Sequence, residues 1–353
     1  MVASRPIKAV AINGGVRSDV FSHWYDLYWW QSLLGGTGGT QPNVTTLKVL
    51  GSNLYAGGSF TSVAGGSSAN RFAIWDGGIW TTIGSGFNDT VYAITAMGST
   101  LYAGGDFFGT PNHIASSDGS SWYSLNSGLA NTVSALAVNG SDLYVGGSLA
   151  SNAYITKWDG ASFATLGTGM NNPVAALAIN GTLFAGGSFT TADGNPAKYL
   201  ASWDGANWNE LGGGMDQNVS ALALNSSDLF VGGNFSQAGG GTAKYIAKWN
   251  LAGSSWSQLG SGTNGNVAGL ALDGNNVYAV GSFTQAGGVN TNYVAKWDST
   301  LSTWEALGSG INIGADGSVQ CVAVYKSEVY VGGKFTTAGG VTVNNIAKWG
   351  KKL

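Results

Sequence analysis

Val133-Ser134-Ala135-Leu136-Ala137-Val138, then Asp142-Leu143-Tyr144-Val145-Gly146-Gly147, then Tyr154-Ile155-Thr156-Lys157-Trp158, then Phe163-Ala164-Thr165-Leu166 decide the fold. Each piece is short and apolar, and the first alternates with period two, the pattern of a half-buried strand. Asn139-Gly140, Gly146-Gly147, Asp159-Gly160 and Gly167-Thr168-Gly169 stand between and after the pieces. Asn-Gly and Asp-Gly supply the positive φ angles that two-residue hairpin turns require. No segment sustains a 3.6-residue period, so almost no helix is expected.

The same phrase opens at Val44, Val91, Val133, Val174, Val219, Val267 and Val319, with successive openings 41 to 52 residues apart. Roughly 40–50 residues is the period of a four-stranded propeller blade. The opening strand is built of small residues, such as Ala135, Ala137, Ala176, Ala178, Ala221 and Ala223. That suits an innermost strand crowded around an axis. Trp75, Trp158, Trp203, Trp249, Trp297 and Trp349 end the third strand, and Trp80, Trp122, Trp208, Trp256 and Trp304 begin the fourth. Such rings fill the widening space between wedge-shaped sheets.

The seventh unit stops at Leu353 without a fourth strand, while Trp30-Gln31-Ser32-Leu33-Leu34-Gly35 precedes the first unit in the matching pattern. The expected fold is therefore all-β, a single seven-bladed β-propeller of four-stranded blades over residues 30–353. Residues 30–38 supply the outer strand of the last blade, and residues 1–29 form an N-terminal arm. Pairing the two chain ends removes an open sheet edge.

The Gly-Gly doublet closing the second strand, the aromatic closing the third and the Trp opening the fourth resemble the kelch-type propeller repeat. The fuller phrase, Leu54-Tyr55-Ala56-Gly57-Gly58-Ser59-Phe60 with Phe72-Ala73-Ile74-Trp75-Asp76-Gly77, is similar to repeat arrays of bacterial and phage surface proteins. The resemblance covers residues 44–353. It implies a fold more than a function, because propellers host unrelated activities. Units two, three and six depart from the phrase, with Ser117 for the third-strand Trp, Leu149 for Phe, and Val280-Gly281 for Gly-Gly.

Composition narrows the function. The chain has 353 residues, 58 of them Gly, with 9% charged residues and a net charge of −3. Without a basic cluster, nucleic-acid binding loses its electrostatic term. No apolar run reaches the roughly 18 residues of a membrane span, and the N-terminus carries no recognisable signal peptide. Cys321 is the sole cysteine, placed in an apolar alternation that reads as a structural thiol. His23 and His113 are the only histidines, too few for a zinc site. His113 reads as a loop residue, so a Ser-His-Asp triad is not expected.

Asp76, Asp118, Asp159, Asp204 and Asp298 form an apparent carboxylate array. They occupy one repeat position on different blades, so they do not converge as a glycosidase pair would, and turn formation explains them. Asp118-Gly119-Ser120-Ser121-Trp122 misses the sialidase Asp-box by one residue, and the chain has only Arg5, Arg17 and Arg71. The glycine doublets precede no helix and are not phosphate loops; they read as strand ends where the backbone turns. Lys157, Lys248, Lys296 and Lys348, each before a Trp, read as solvent-facing. A ring of equivalent sugar sites built on exposed aromatics is the alternative to core packing for the Trp set.

The stretch Phe21 to Trp30 is denser in aromatics than any repeat. Phe21, Trp24, Tyr25, Tyr28 and Trp29 are the candidate partner-binding residues, since aromatics favour interface cores. No catalytic residue, metal or cofactor is expected. The expected function is a non-enzymatic structural or binding propeller on a virion surface or outside the cell. It would join a larger assembly through the arm, with a host-surface glycan or protein as a further partner, and would neither insert in a membrane nor bind nucleic acid. A bacterial surface or secreted carbohydrate-binding propeller, and a polysaccharide hydrolase or lyase, are the alternatives. The variable loops between second and third strands, from Ser148–Ala153 to Ser188–Lys198, are where a specific partner would read the surface.

Overall fold

The computed structural model describes residues 28–64, 66–149, 153–315 and 317–351. Among these the fold is all-β and without helix, and its strands form seven four-stranded antiparallel sheets beside smaller two- and three-stranded ones. Six sheets run in chain order. The first consists of Val44–Leu50, Asn53–Gly58, Phe72–Trp75 and Trp80–Thr81. The seventh takes Ser318–Tyr325, Glu328–Lys334 and Ile346–Lys351 from the C-terminal end and Tyr28–Ser32 from the N-terminal end. Trp30 pairs with Trp349 and Ser32 with Ala347, so the expected outer strand is in register with the third strand of the seventh unit. It begins at Tyr28, which places Tyr28 and Trp29 in the sheet and not in the arm.

Each innermost strand lies beside the next, and Ser318–Tyr325 lies beside Val44–Leu50. The first glycine of each doublet shows how neighbouring sheets fit. A Cβ on Gly146 would come 2.6 Å from Cγ1 of Val174, and one on Gly232 would come 2.6 Å from Cγ1 of Val267. Each opening valine except Val319 is thus a knob seated in the hollow left by the preceding unit's glycine. Gly332 receives Val44 in the same way, at 2.6 Å. The second glycine lies against the carbonyl of the residue before its own sheet's opening valine, with no room for a side chain. The doublets close the second strands, as expected, but the expected sharp turn is corrected: Gly146 is paired with Ala135 on one side and Ile155 on the other, and close approach is what requires glycine.

The sixth unit keeps this volume balance by exchange. Val280 replaces the first glycine, and Gly269, its cross-strand partner, replaces the usual alanine. Cys321 stands at the same alanine position in the seventh unit, opposite Gly332. Its thiol is buried and donates to the Val44 carbonyl at 3.4 Å.

The tryptophans form a second set of fasteners. Trp75 and Trp80, Trp203 and Trp208, Trp249 and Trp256, Trp297 and Trp304 are cross-strand partners with ring centroids 5.0 to 5.5 Å apart. Trp349 and Trp30 repeat the pair across the chain ends at 5.4 Å. The outer-strand indole N–H then reaches the preceding sheet. Trp208 donates to the Leu166 carbonyl at 3.0 Å, Trp256 to Leu211 at 3.2 Å and Trp304 to Leu259 at 2.9 Å. Trp30 donates to Leu307 at 3.0 Å, and Trp80 donates to Leu33 at 2.9 Å. The N-terminal segment therefore both gives and receives this bond. A buried indole N–H usually finds such a partner. Trp122, in the unit where Ser117 replaces the third-strand Trp, leaves its N–H unpaired and turns its ring against Phe72 and Phe87.

Candidate binding face

The candidate binding geometry is built where the second strand crosses to the third. The aromatic after the doublet, Phe60, Phe107, Phe189, Phe235, Phe283 or Phe335, is buried and anchors this crossing. The chain must then reverse within a few residues. It does so through one residue with positive φ just before the third strand: Arg71, His113, Tyr154, Tyr199, Tyr245, Tyr293 and Asn345, with φ from 55° to 74°. Left-handed backbone costs a non-glycine residue roughly 1–2 kcal/mol. Here it is fixed by hydrogen bonds: the Tyr199 amide donates to the Phe189 carbonyl at 2.8 Å, and its carbonyl accepts from Gly187 at 3.1 Å. These seven positions were not read from the sequence. The available signal was a recurrent polar or aromatic residue at the last position before the third strand, with His and Asn among the types enriched at positive φ.

Five of the variable loops are ordered as two-stranded hairpins, among them Thr191–Ala192 with Asn195–Pro196 and Gln237–Ala238 with Gly241–Thr242. Each also pairs with the linker that leads into its own unit, as Thr37–Gly38 does with Ser62–Val63. The loops are thus a second tier of β-structure. Unit two lacks such a hairpin and carries a Thr110–Pro111 cis bond in its crossing.

Between neighbouring crossings lie repeated clefts. One, of about 440 Å³, separates the first and second sheets and is lined by Asn70, Arg71, Phe87, Asn88, Phe107 and Phe108. A second, of about 470 Å³, lies between the fourth and fifth, with Lys198, Tyr199, Met215, Asp216 and Gln237. A third, of about 430 Å³, lies between the seventh and first, with Pro42, Lys334, Phe335, Asn344 and Asn345. Each has the positive-φ residue of one unit on one side and the linker to the next on the other. A further cavity of about 210 Å³ lies on the axis and is touched by all seven innermost strands, through residues such as Ala93, Ala135, Ala176, Ala221, Gly269 and Cys321. Lys48 is the charged residue on its wall, and the surrounding protein draws its ammonium pKa down by desolvation.

The recurrent aspartates are turn residues. Asp76 Oδ1 accepts from the amides of Gly78 and Ile79, each at 2.8 Å, and Asp204 Oδ1 accepts from Ala206 at 2.9 Å and Asn207 at 2.8 Å. Hydrogen bonds to the charged form hold these carboxyls low. Asp118, bonded by the Ser120 hydroxyl and by the Ser120 and Ser121 amides, is drawn to about 2. The lysines before tryptophan do not simply face solvent. Lys157 pairs with Asp142 at 2.9 Å, Lys296 with Asp298 at 3.2 Å and Glu305 at 3.1 Å, and Lys348 with Glu328 at 2.8 Å. His113 is one of the positive-φ residues, and its Nδ1 lies 3.1 Å from the Gly105 carbonyl. Burial pushes the Cys321 thiol pKa well up. Among the described residues no group of three or more His, Cys, Asp and Glu side chains is placed to hold a metal. Nor, among the described residues, is any helix long and apolar enough to cross a membrane.

Of the candidate partner residues, Phe21, Trp24 and Tyr25 lie outside the described residues. Tyr28 and Trp29 lie on the outer edge of the seventh sheet, 37% and 39% exposed, with Tyr28 stacked on Trp349 at 6.3 Å.

Residues 201–313 match the family model of the Rax2 C-terminal β-propeller domain. No curated protein matches the chain. Among solved structures, the computationally designed protein Ika8 superposes with a TM-score of 0.57 at 15% identity, covering 90% of this chain and 99% of that one. The WD40 β-propeller domain of Doa1 gives a TM-score of 0.60 at 12% identity over 92% of this chain and 97% of that one. The extracellular domain of the two-component-system protein BT4673 from B. thetaiotaomicron gives 0.62 at 13% identity, covering 93% of this chain and 40% of that one. At these identities the likeness is one of fold, and that fold is the β-propeller.

Proposed function

We propose that the chain is a single seven-bladed propeller whose ring is closed by Tyr28–Ser32, and that it works as a non-enzymatic binding or structural body. Closure is supported by the N-terminal segment taking part in the same Trp-to-Leu bonds as Trp208, Trp256 and Trp304, through Trp30 to Leu307 and Trp80 to Leu33. One observation carries the binding role. The recurrent Asp, Lys and Trp side chains are engaged in turns, ion pairs and fasteners, whereas the clefts between crossings keep polar and aromatic groups at one repeated place. Ligand sites of this kind are concave, with a few placed polar groups.

The setting we favour is the outside of a phage-like particle. Support comes from the similarity of the repeat phrase to surface-protein arrays and from the low-charge composition. The BT4673 domain, itself extracellular, is consistent with that setting. Residues 1–27 would then tether the propeller, with Tyr28 and Trp29 at the root of the tether. Deleting residues 1–20 should abolish incorporation into particles while leaving the melting temperature unchanged. Full incorporation of the truncated chain would count against the tether. The second reading, a bacterial surface or secreted carbohydrate-binding propeller, is favoured by the repetition of the clefts, since equivalent weak sites gain avidity.

A further inference from the structure

We propose that the cleft between the first and second sheets is a site for a carboxylated saccharide, with Arg71 taking the carboxylate and Phe108 presenting its ring to the sugar. The inference rests on reading the chain as a binding body, but not on its setting on a particle.

Four observations converge. First, Arg71 is the only arginine among the described residues, and it lines a cleft of about 440 Å³. Second, its guanidinium has no carboxylate partner among the described residues. The ion-paired cations Lys157, Lys248, Lys296 and Lys348 all lie on third strands, and Arg71 is not among them. Third, Arg71 Nε is shut off from solvent and finds no acceptor among the described residues. A buried charged donor left in that state is costly, and such groups in folded proteins call for a specific explanation. Because Nε is out of a cleft ligand's reach as well, a carboxylate there would meet the guanidinium through its terminal nitrogens and offset the charge that the fold leaves unpaired. Fourth, Phe108 is 62% exposed beside it, although the preceding Phe107 is fully sequestered. Phe108 is not a loose ring: its amide donates to Asn88 Oδ1 at 3.1 Å, and Asn88 Nδ2 donates back to its carbonyl at 2.9 Å. Its backbone is thereby fixed beside the cleft.

The chemistry then selects the ligand. A guanidinium is a planar fork matched to a planar carboxylate. An exposed aromatic face beside it suits a pyranose ring, with its apolar C–H face and polar rim. Uronic and sialic acids carry both features in one residue. The equivalent clefts place Lys198 or Lys334 near this position. Lysine is a point charge without the fork, so the Arg71 cleft should be the strong site and the others weak.

The test uses the full chain on an array of uronate- and sialate-bearing glycans, each beside its neutral counterpart, with the best binder titrated by calorimetry. Arg71→Asn is the informative variant. Asn345 holds the equivalent positive-φ position in the seventh unit, so the backbone tolerates this residue there. Loss of a charge-assisted pair should weaken binding by roughly tenfold or more. Arg71→Lys should fall between, and Phe108→Ala should weaken acidic and neutral glycans alike. Unchanged melting temperatures certify that the variants fold. Equal binding of the neutral counterparts, no binding by any acidic glycan, undiminished binding by Arg71→Asn, or tighter binding of an acidic peptide would each overturn the proposal. Particle incorporation reads a different part of the chain, so its failure and the failure of this site are distinguishable.

Discussion

Trp30 should matter to the whole ring, not only to the chain end. Its ring is 3% exposed, lies 5.4 Å from Trp349, and its N–H donates to Leu307 at 3.0 Å. Gly339 leaves room for it, since a Cβ there would come 2.5 Å from its Cδ1. Trp30→Phe keeps the ring and deletes the donor; the seventh sheet would then resemble the third, where Phe163 pairs with Trp158. Leaving the Leu307 carbonyl unpaired in a buried site should cost about 1–3 kcal/mol. Trp30→Ala also empties the ring's volume, for a total of roughly 3–5 kcal/mol. An unfolding entropy of about 2.1 cal/mol/K per residue makes each kcal/mol worth roughly 1.5 °C in a chain of this length. The alanine variant should therefore melt roughly 4–8 °C lower and the phenylalanine variant roughly 1–5 °C lower by these same values. Differential scanning calorimetry measures this directly. Trp304→Ala, its interior counterpart bonded to Leu259, is the control. If Trp304→Ala lowers the transition while Trp30→Ala does not, the N-terminal strand is an appendage and the reasoning about ring closure is wrong.

Two further outcomes follow from the packing and from the turns. Gly146→Ala places a methyl 2.6 Å from Val174 Cγ1, so it should destabilise by roughly 1–3 kcal/mol, and Val174→Ala should recover part of that loss. Simple additivity in denaturant titrations would show that the two residues do not share the volume. Asp118 should titrate near 2 by carbon-detected NMR, because the Ser120 hydroxyl and turn amides favour its charged form. Its pKa is depressed on folding, so its contribution to stability is complete above the unfolded value near 4 and fades as pH falls toward the folded one. Asp118→Asn should remove that part of the acid dependence, and a folded-state midpoint at the ordinary aspartate value would contradict the turn assignment.

Much of the architecture was legible because it repeats. Alternation, Asp-Gly turns and the tryptophan positions are local, and seven copies of one local pattern leave little freedom in the assignment of strands. Even the missing fourth strand showed, since Trp30 to Gly35 carries the same phrase as its interior counterparts. The glycine doublets were placed correctly at strand ends, but the reason for glycine there was missed. Their meaning lies in a neighbour about 30 residues further on, as with Gly146 and Val174, and no local turn rule contains that contact. Lys157 and Lys348 looked solvent-facing because their carboxylate partners, Asp142 and Glu328, sit on another strand.

The binding face was the least legible part. Arg71 was counted in the sequence only as one of too few arginines for a sialidase. Its place in a positive-φ turn, the exposure of Phe108 and the cleft between them arise from the packing of two units. The sequence alone determined the strands, their turns and their sevenfold recurrence, because backbone propensity and apolar period act over a few residues. Only the tertiary structure decided which polar groups the scaffold consumes and which it leaves open. That outcome depends on hydrogen-bond and charge partners brought together from distant parts of the chain.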